Sequence, residues 1–170
     1  MAQHFVLRMR RELSGNIAQP IWPPGVICRT LAPKADKHDA KAAHAVLEAG
    51  FWEGGGGAPI FRKWWPQLRK DSEFDPALLF LAIEGKDVIG MAQCWTSAFI
   101  KDLAVQPRAR KRGVGRALML TTFHAFAKRG APHVDPARRT RRSDRQPQLC
   151  RSASGRTRPV RRLRRRQGGD

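Results

Sequence analysis

Apolar residues are spread unevenly along the chain, and their spacing predicts elements in the order β, α, α, β, β, β, α, β. Val26 to Leu31 is short and rich in β-formers, a first strand. Asp36 or Asp39 is placed to cap a helix running to about Ala49, with Ala43, Val46 and Leu47 as its apolar face and Gly50 as its stop. Gly54 to Gly57 reads as a slack connector rather than a gating loop. Helical spacing from Ile60 puts Phe61, Trp64, Trp65 and Leu68 on one face, with Pro66 ending the helix. That face is expected to pack into a core, and a wall of a binding cleft is the alternative. Leu78–Ile83 and Val88–Trp95 form a hairpin around Glu84-Gly85-Lys86-Asp87. Phe99 to Val105 is the next strand, and Gly115 to Lys128 an apolar-periodic helix closed by Arg129-Gly130. His133-Val134-Asp135 opens a last strand. Residues 1–25 are polar and Pro-punctuated, an entry arm with a short helix near Leu7–Leu13.

Chemistry concentrates where strand meets helix, at Arg110-Lys111-Arg112-Gly113-Val114-Gly115-Arg116. The first N–H groups of a helix have no internal partner, and the helix dipole makes that end positive. Gly113 and Gly115 let a bulky anion approach, and Arg110, Lys111, Arg112 and Arg116 add charge. A phosphate or pyrophosphate is the natural guest. A nucleotide P-loop needs Gly-Lys followed by Ser or Thr, but Arg116 follows Gly115. The dinucleotide fingerprint is excluded because Leu118 stands where its third glycine belongs.

What remains is Arg-x-x-Gly-x-Gly at Arg110, Gly113 and Gly115, after Asp102-Leu103-Ala104-Val105-Gln106-Pro107. This resembles the acetyl-CoA-binding motif of the GNAT superfamily of N-acetyltransferases. The likeness is dense over residues 88–134, looser over 26–87, and stops after Asp135. It implies an α/β (α+β) fold, a mixed and mostly antiparallel central sheet flanked by helices. It also implies that the backbone from Arg110 through Val114 to Gly115 holds the coenzyme A pyrophosphate. Leu103, Ala104 and Val105 would line the pantetheine arm, with Leu103 and Val105 pairing to it through the main chain. The family strand bulges near Leu103–Val105, which frees an amide to hold an oxyanion.

Composition changes the picture mainly at the C-terminal end. The net charge of +19 suggests nucleic acid, yet residues 136–170 hold thirteen Arg, no Lys and two acids, +11 of the total. The preceding 135 residues carry twenty Lys plus Arg against twelve acids, +8. That end has no apolar run longer than two residues and is expected to be a disordered Arg-rich tail. An out-of-frame product is the preferred account of it, and a basic arm gripping nucleic acid the rival. The expected organisation is an arm over 1–25, a truncated acyltransferase domain over 26–135, and the tail over 136–170. The family's closing elements would then be missing, including its Tyr-bearing helix, and the chain has no tyrosine. Losing such elements removes buried side chains worth about 1.5–3 kcal/mol each from a margin of roughly 5–15 kcal/mol. Weak activity or none is therefore expected.

Acetyl transfer from a thioester to an amine needs a neutral amine, an oxyanion donor and a proton for the thiolate. Asp102 is the candidate base. Its other reading is a strand-edge charge that orients Lys101. Glu53 and Glu73 are weaker candidates. Cys28 and Cys94 suit core packing. With Cys150 they form no CxxC pair, and no metal site is expected. No run of eighteen apolar residues and no apolar leader at Met1-Ala2-Gln3-His4 point to the cytoplasm. The expected function is acetyl-CoA-dependent N-acetylation of a primary amine on a small molecule or peptide, by direct attack in a ternary complex. Alternatives are a degenerate, non-catalytic acyltransferase domain with a nucleic-acid-binding tail, and a defective gene product.

Overall fold

The computed structural model describes residues 5–32, 37–52 and 57–140. Its elements in chain order are β1 (Phe5–Arg8), β2 (Arg11–Glu12), β3 (Val26–Thr30), α1 (Lys37–Trp52), α2 (Phe61–Lys70), β4 (Phe74–Glu84), β5 (Asp87–Trp95), β6 (Phe99–Val105), α3 (Val114–Lys128) and β7 (His133–Thr140). The strands form one sheet in the order β1-β7-β6-β5-β4-β3, with β2 also on β7. Every pairing is antiparallel except β6 with β7.

The continuous apolar run of β4 follows from burial on both faces. Leu78, Phe80 and Ala82 join Ile89, Cys94, Val114, Leu118 and Phe126 under α3. Leu79, Leu81 and Ile83 join Met91, Ala104, Val46, Leu47, Trp64 and Leu68 under α1 and α2. Two glycines set how closely the helices sit. A Cβ on Gly90 would lie 3.0 Å from Leu118 and 3.1 Å from Val114, and one on Gly50 would lie 2.9 Å from the Ala104 Cβ.

Several sequence expectations fail, each for a physical reason. Residues 7–13 are not helical. They lie along the outer edge of β7, whose backbone groups need partners, and the ladder overrides local propensity. The arm breaks between β1 and β2 opposite Pro136, which has no N–H to give it and offers only a carbonyl to the Met9 N–H, 3.3 Å away. Leu13 and Ile17 then bury in the core under α3. Helix α1 does not stop at Gly50, which serves close packing on Ala104 instead. Asp39 sits in the first turn of α1 and binds Arg29 rather than capping the backbone, while Asp36 lies outside the described residues.

Helix α2 passes through Pro66, on its exposed side, because burial of Trp64, Trp65 and Leu68 on the other side outweighs one missing hydrogen bond. Strand β7 continues past Asp135 to Thr140, so residues 136–140 are not tail. Pairing with β1 is a backbone matter and leaves no mark on apolar composition. Gly54–Gly56, Glu53 and residues 141–170, which hold most of the expected Arg-rich tail, lie outside the described residues. Among the described residues no helix is long and apolar enough to cross a membrane.

Candidate active site

The site forms where β6 parts from β7. The parallel pairing holds only at Phe99↔Asp135 and Ile100↔Pro136. From there to Val105, β6 continues its ladder on the β5 side alone. The bulge in β6 lies at Lys101, because Gln93 faces Asp102 while Cys94 faces Ile100. It is therefore earlier than the expected Leu103–Val105. Beyond it the ladder alternates. The Gln106 N–H bonds the Ile89 carbonyl on β5 at 2.9 Å, so alternation turns the N–H groups of Leu103 and Val105 toward the opening.

The predicted cradle closes one end of this opening. After a single 3-10 turn, Pro107–Ala109, Lys111 takes φ 58° and Gly113 φ 92°, both left-handed. For lysine that conformation is uncommon and mildly costly. Helix α3 then starts at Val114, one residue earlier than its pattern suggests, with Gly113 as N-cap and no side-chain cap. Its first turn closes with the Ala117 N–H on the Gly113 carbonyl at 2.9 Å. The N–H groups of Val114, Gly115 and Arg116 stand ahead of that bond, as orphan donors at the positive end of the dipole. A Cβ on Gly115 would meet Val105 at 3.5 Å and Leu103 at 3.8 Å, so this turn faces the same stretch of β6.

The four predicted cations do not act alike. Arg110 directs its Nε back to the Val105 carbonyl, 3.1 Å away. Arg112 is engaged by both oxygens of Glu84, at 3.2 Å and 2.5 Å. That pairing raises the Arg112 pKa and lowers that of Glu84. Lys111 and Arg116 are exposed beside the loop.

Asp102 shares its sheet face with Ala104, toward α1 and α2. Its side chain is only 14% exposed, and the Lys101 Nζ lies 3.1 Å from its Oδ2. Lys101 in turn sits 5.4 Å from the Trp95 ring. Glu73 is not brought to Asp102. Its carbonyl accepts from Thr96, just past the end of β5 and three residues from Gln93, or about 10 Å at the rise of a strand. The aromatic face of α2 packs into core as expected, with Trp64 and Trp65 6.0 Å apart and Trp65 edge-on to Phe74. Burial raises the Cys94 thiol well above its ordinary range and pushes Cys28 up to about 11, so neither is a thiolate nucleophile. Among the described residues no three His, Cys, Asp or Glu gather where they could hold a metal ion.

Two residues that sequence reasoning passed over stand out on the α1–α2 side. Gln93, directly opposite Asp102, is fully buried and, among the described residues, has no hydrogen-bond partner for its Oε1 or Nε2, and the Trp64 indole N–H is likewise unpartnered there. Gln93 leaves one trace in the sequence, a lone amide within the apolar run Met91-Ala92-Gln93-Cys94. His44 is the other. It is buried on α1, its Nε2 is 2.7 Å from the Pro59 carbonyl, and its ring meets Trp64 at 5.1 Å. It ties α1 to the approach of α2.

This geometry has relatives. The chain is 30% identical over 133 residues to a mycothiol acetyltransferase of Streptomyces scabiei, covering 74% of this chain and 42% of that protein. It is 32% identical over 143 residues to a mycothiol acetyltransferase of Nocardia farcinica, covering 72% and 43%. The chain thus spans less than half the length of these relatives. A GCN5-related N-acetyltransferase of Sphaerobacter thermophilus shares the fold with a TM-score of 0.70 at 24% identity, over 86% of this chain and 45% of that one. The model of the acetyltransferase (GNAT) family matches residues 42–140, from α1 to the end of β7. With more than half of its length so matched, the chain belongs to the acetyltransferase (GNAT) family.

Proposed function

We propose that this domain transfers the acetyl group of acetyl-CoA to a primary amine by direct attack within a ternary complex. The observation that carries the reading is the parting of β6 from β7 beside a left-handed loop and the bare N-terminus of α3. An open strand edge suits an amide-bearing arm, and a cluster of orphan N–H groups suits a diphosphate. In this reading the amides from Lys111 to Gly115 hold the pyrophosphate, the expected Arg110 N–H being already bonded to the Pro107 carbonyl at 3.3 Å, while Lys111 and Arg116 add charge. Leu103 and Val105 pair with the pantetheine arm, and Ala104 backs the strand on α1.

The amine enters from the α1–α2 side, where Asp102 takes its proton. Attack on the thioester carbonyl places negative charge on its oxygen, and a β6 amide facing the opening donates to it. The C–S bond then breaks, and the coenzyme leaves as thiolate to be protonated from solvent. The names of the relatives favour a small-molecule acceptor. The unit carrying this chemistry is taken to include the N-terminal arm, because β1 and β2 cover the outer edge of β7.

The test is thiol release from acetyl-CoA with a panel of amines spanning amino sugars, polyamines and peptides, together with calorimetry of coenzyme A. Amine-dependent release and saturable binding are expected. Absence of both would overturn the reading.

A further inference from the structure

The cradle loop is held from outside by the hairpin turn between β4 and β5, a connection with no part in the chemistry above. Glu84 closes β4 and Asp87 opens β5. From one end of the turn Glu84 takes both terminal nitrogens of Arg112. From the other, Asp87 takes Arg108 Nη2 at 2.7 Å. Arg108 also donates through Nε to Gln106 Oε1 at 2.8 Å, and Gln106 donates to the Val88 carbonyl at 2.8 Å. Loop residues on both sides of Arg110 are thereby fastened to one short turn. The turn flanks β5, on the side of β6 away from the opening toward β7. Arg108 and Arg112 are engaged by these carboxylates and act as struts. The left-handed Lys111 lies between them, where an unsupported loop would relax most easily.

We propose that Glu84 and Asp87 are positioning residues for acyl-donor binding, setting the shape of the cradle loop through Arg112 and Arg108. This rests on the function proposed above, and its test separates the two. Calorimetry of coenzyme A would compare the natural chain with Glu84→Gln, Asp87→Asn and the double variant, with Glu84→Asp as the conservative rescue. Hydrogen exchange of the amides of residues 110–113 would be followed in the same proteins without ligand.

Each single change is expected to weaken binding about twofold to fivefold, and the double change about tenfold, in line with partly exposed ion pairs. Glu84→Asp should recover most of the loss. Loop exchange should quicken in the double variant while the thermal midpoint stays put. In turnover the Michaelis constant for acetyl-CoA should rise by more than the rate constant falls. If the natural chain binds coenzyme A and the double variant binds it equally well, with unchanged loop exchange, the pairs are surface decoration and the inference fails alone. Tighter binding by Glu84→Gln would also overturn it, since Glu84 would then be a competitor of the diphosphate for Arg112. If the natural chain does not bind coenzyme A, the function itself fails, and this inference with it.

Discussion

The two sides of β6 are finished in opposite ways. On the cradle side Gln106, Arg108, Arg110 and Arg112 each have named partners, and the unsatisfied groups are the backbone amides at the start of α3. On the α1–α2 side, among the described residues, the unsatisfied groups belong to the side chains of Gln93 and Trp64, in an otherwise apolar cluster. A diphosphate is the same in every reaction of its kind, so a fixed turn of main chain can hold it. An acceptor varies, and the side proposed to receive it is assembled from side chains on α1, α2, β4 and β5 that are distant in sequence.

The largest effect should come from Asp102. If Asp102 is the base, its replacement by Asn should lower the rate constant about 10²- to 10⁴-fold and leave coenzyme A affinity nearly unchanged. Lys101→Ala should cost far less. If Asp102 only orients Lys101, its neighbour at 3.1 Å, the two variants should lose activity alike in steady-state assays. On the other side of β6, Gly115→Ala is the sharper probe. Its new Cβ makes only ordinary contacts of 3.5 Å and 3.8 Å, so the thermal midpoint should hold. Coenzyme A affinity should still fall about tenfold or more, since the methyl enters the corner between α3 and β6. Gly113→Ala should behave differently. Nothing lies within 4 Å of its Cβ, but φ is 92°, so stability itself should drop by about 1–2 kcal/mol.

The contrast also decides what could be read in advance. Strands β3 to β6, the hairpin and helix α3 were legible because apolar runs and a glycine-bearing basic turn are local signals. The glycine-bearing turn between β6 and α3 was legible for the same reason, though the left-handed conformation of Lys111 and Gly113 was not foreseen. Its charge was misjudged, because the sequence does not disclose that Glu84, some thirty positions away, holds Arg112. The arm and the end of β7 were missed together. Each is a strand only because the other is there, and Arg10 bound to both oxygens of Asp135 joins residues 125 positions apart. The acceptor side was least legible. Gln93 matters through its place opposite Asp102, a register that no spacing rule supplies.

Gln93 gives the next prediction. A buried amide without partners costs about 1–3 kcal/mol of desolvation. Gln93→Leu, close in volume, should raise stability by up to about that amount in denaturant titration. If Gln93 also meets the acceptor, the same variant should raise the Michaelis constant for the amine and leave that for acetyl-CoA alone. Higher stability without any kinetic change would mark it as a structural residue only. Unchanged stability would show that the buried amide carries no such cost.

The smallest effect comes from acid, and it too distinguishes the two sides. Asp39 is held below its ordinary value of 3.8, first by its hydrogen bonds to Arg29, then by the nearby charge of that guanidinium, while burial works the other way. The bidentate pair, at 2.7 Å and 2.9 Å, fastens α1 to β3 on the acceptor side. A carboxylate with a depressed folded pKa stabilises the fold above its unfolded pKa, and that contribution is lost as pH falls through the folded value. Both partners are partly exposed, so the pair is worth about 0.2–1 kcal/mol after solvent screening. Asp39→Asn should therefore lower the urea midpoint slightly near neutral pH, and the gap should close as pH falls below the ordinary 3.8 and on through the lowered folded value. Glu84 is likewise held low by Arg112, from an ordinary value of 4.5, but its loss should appear in coenzyme A affinity rather than in the midpoint. A pH-independent gap for Asp39→Asn would mean that its side chain supports α1 by packing and not by charge.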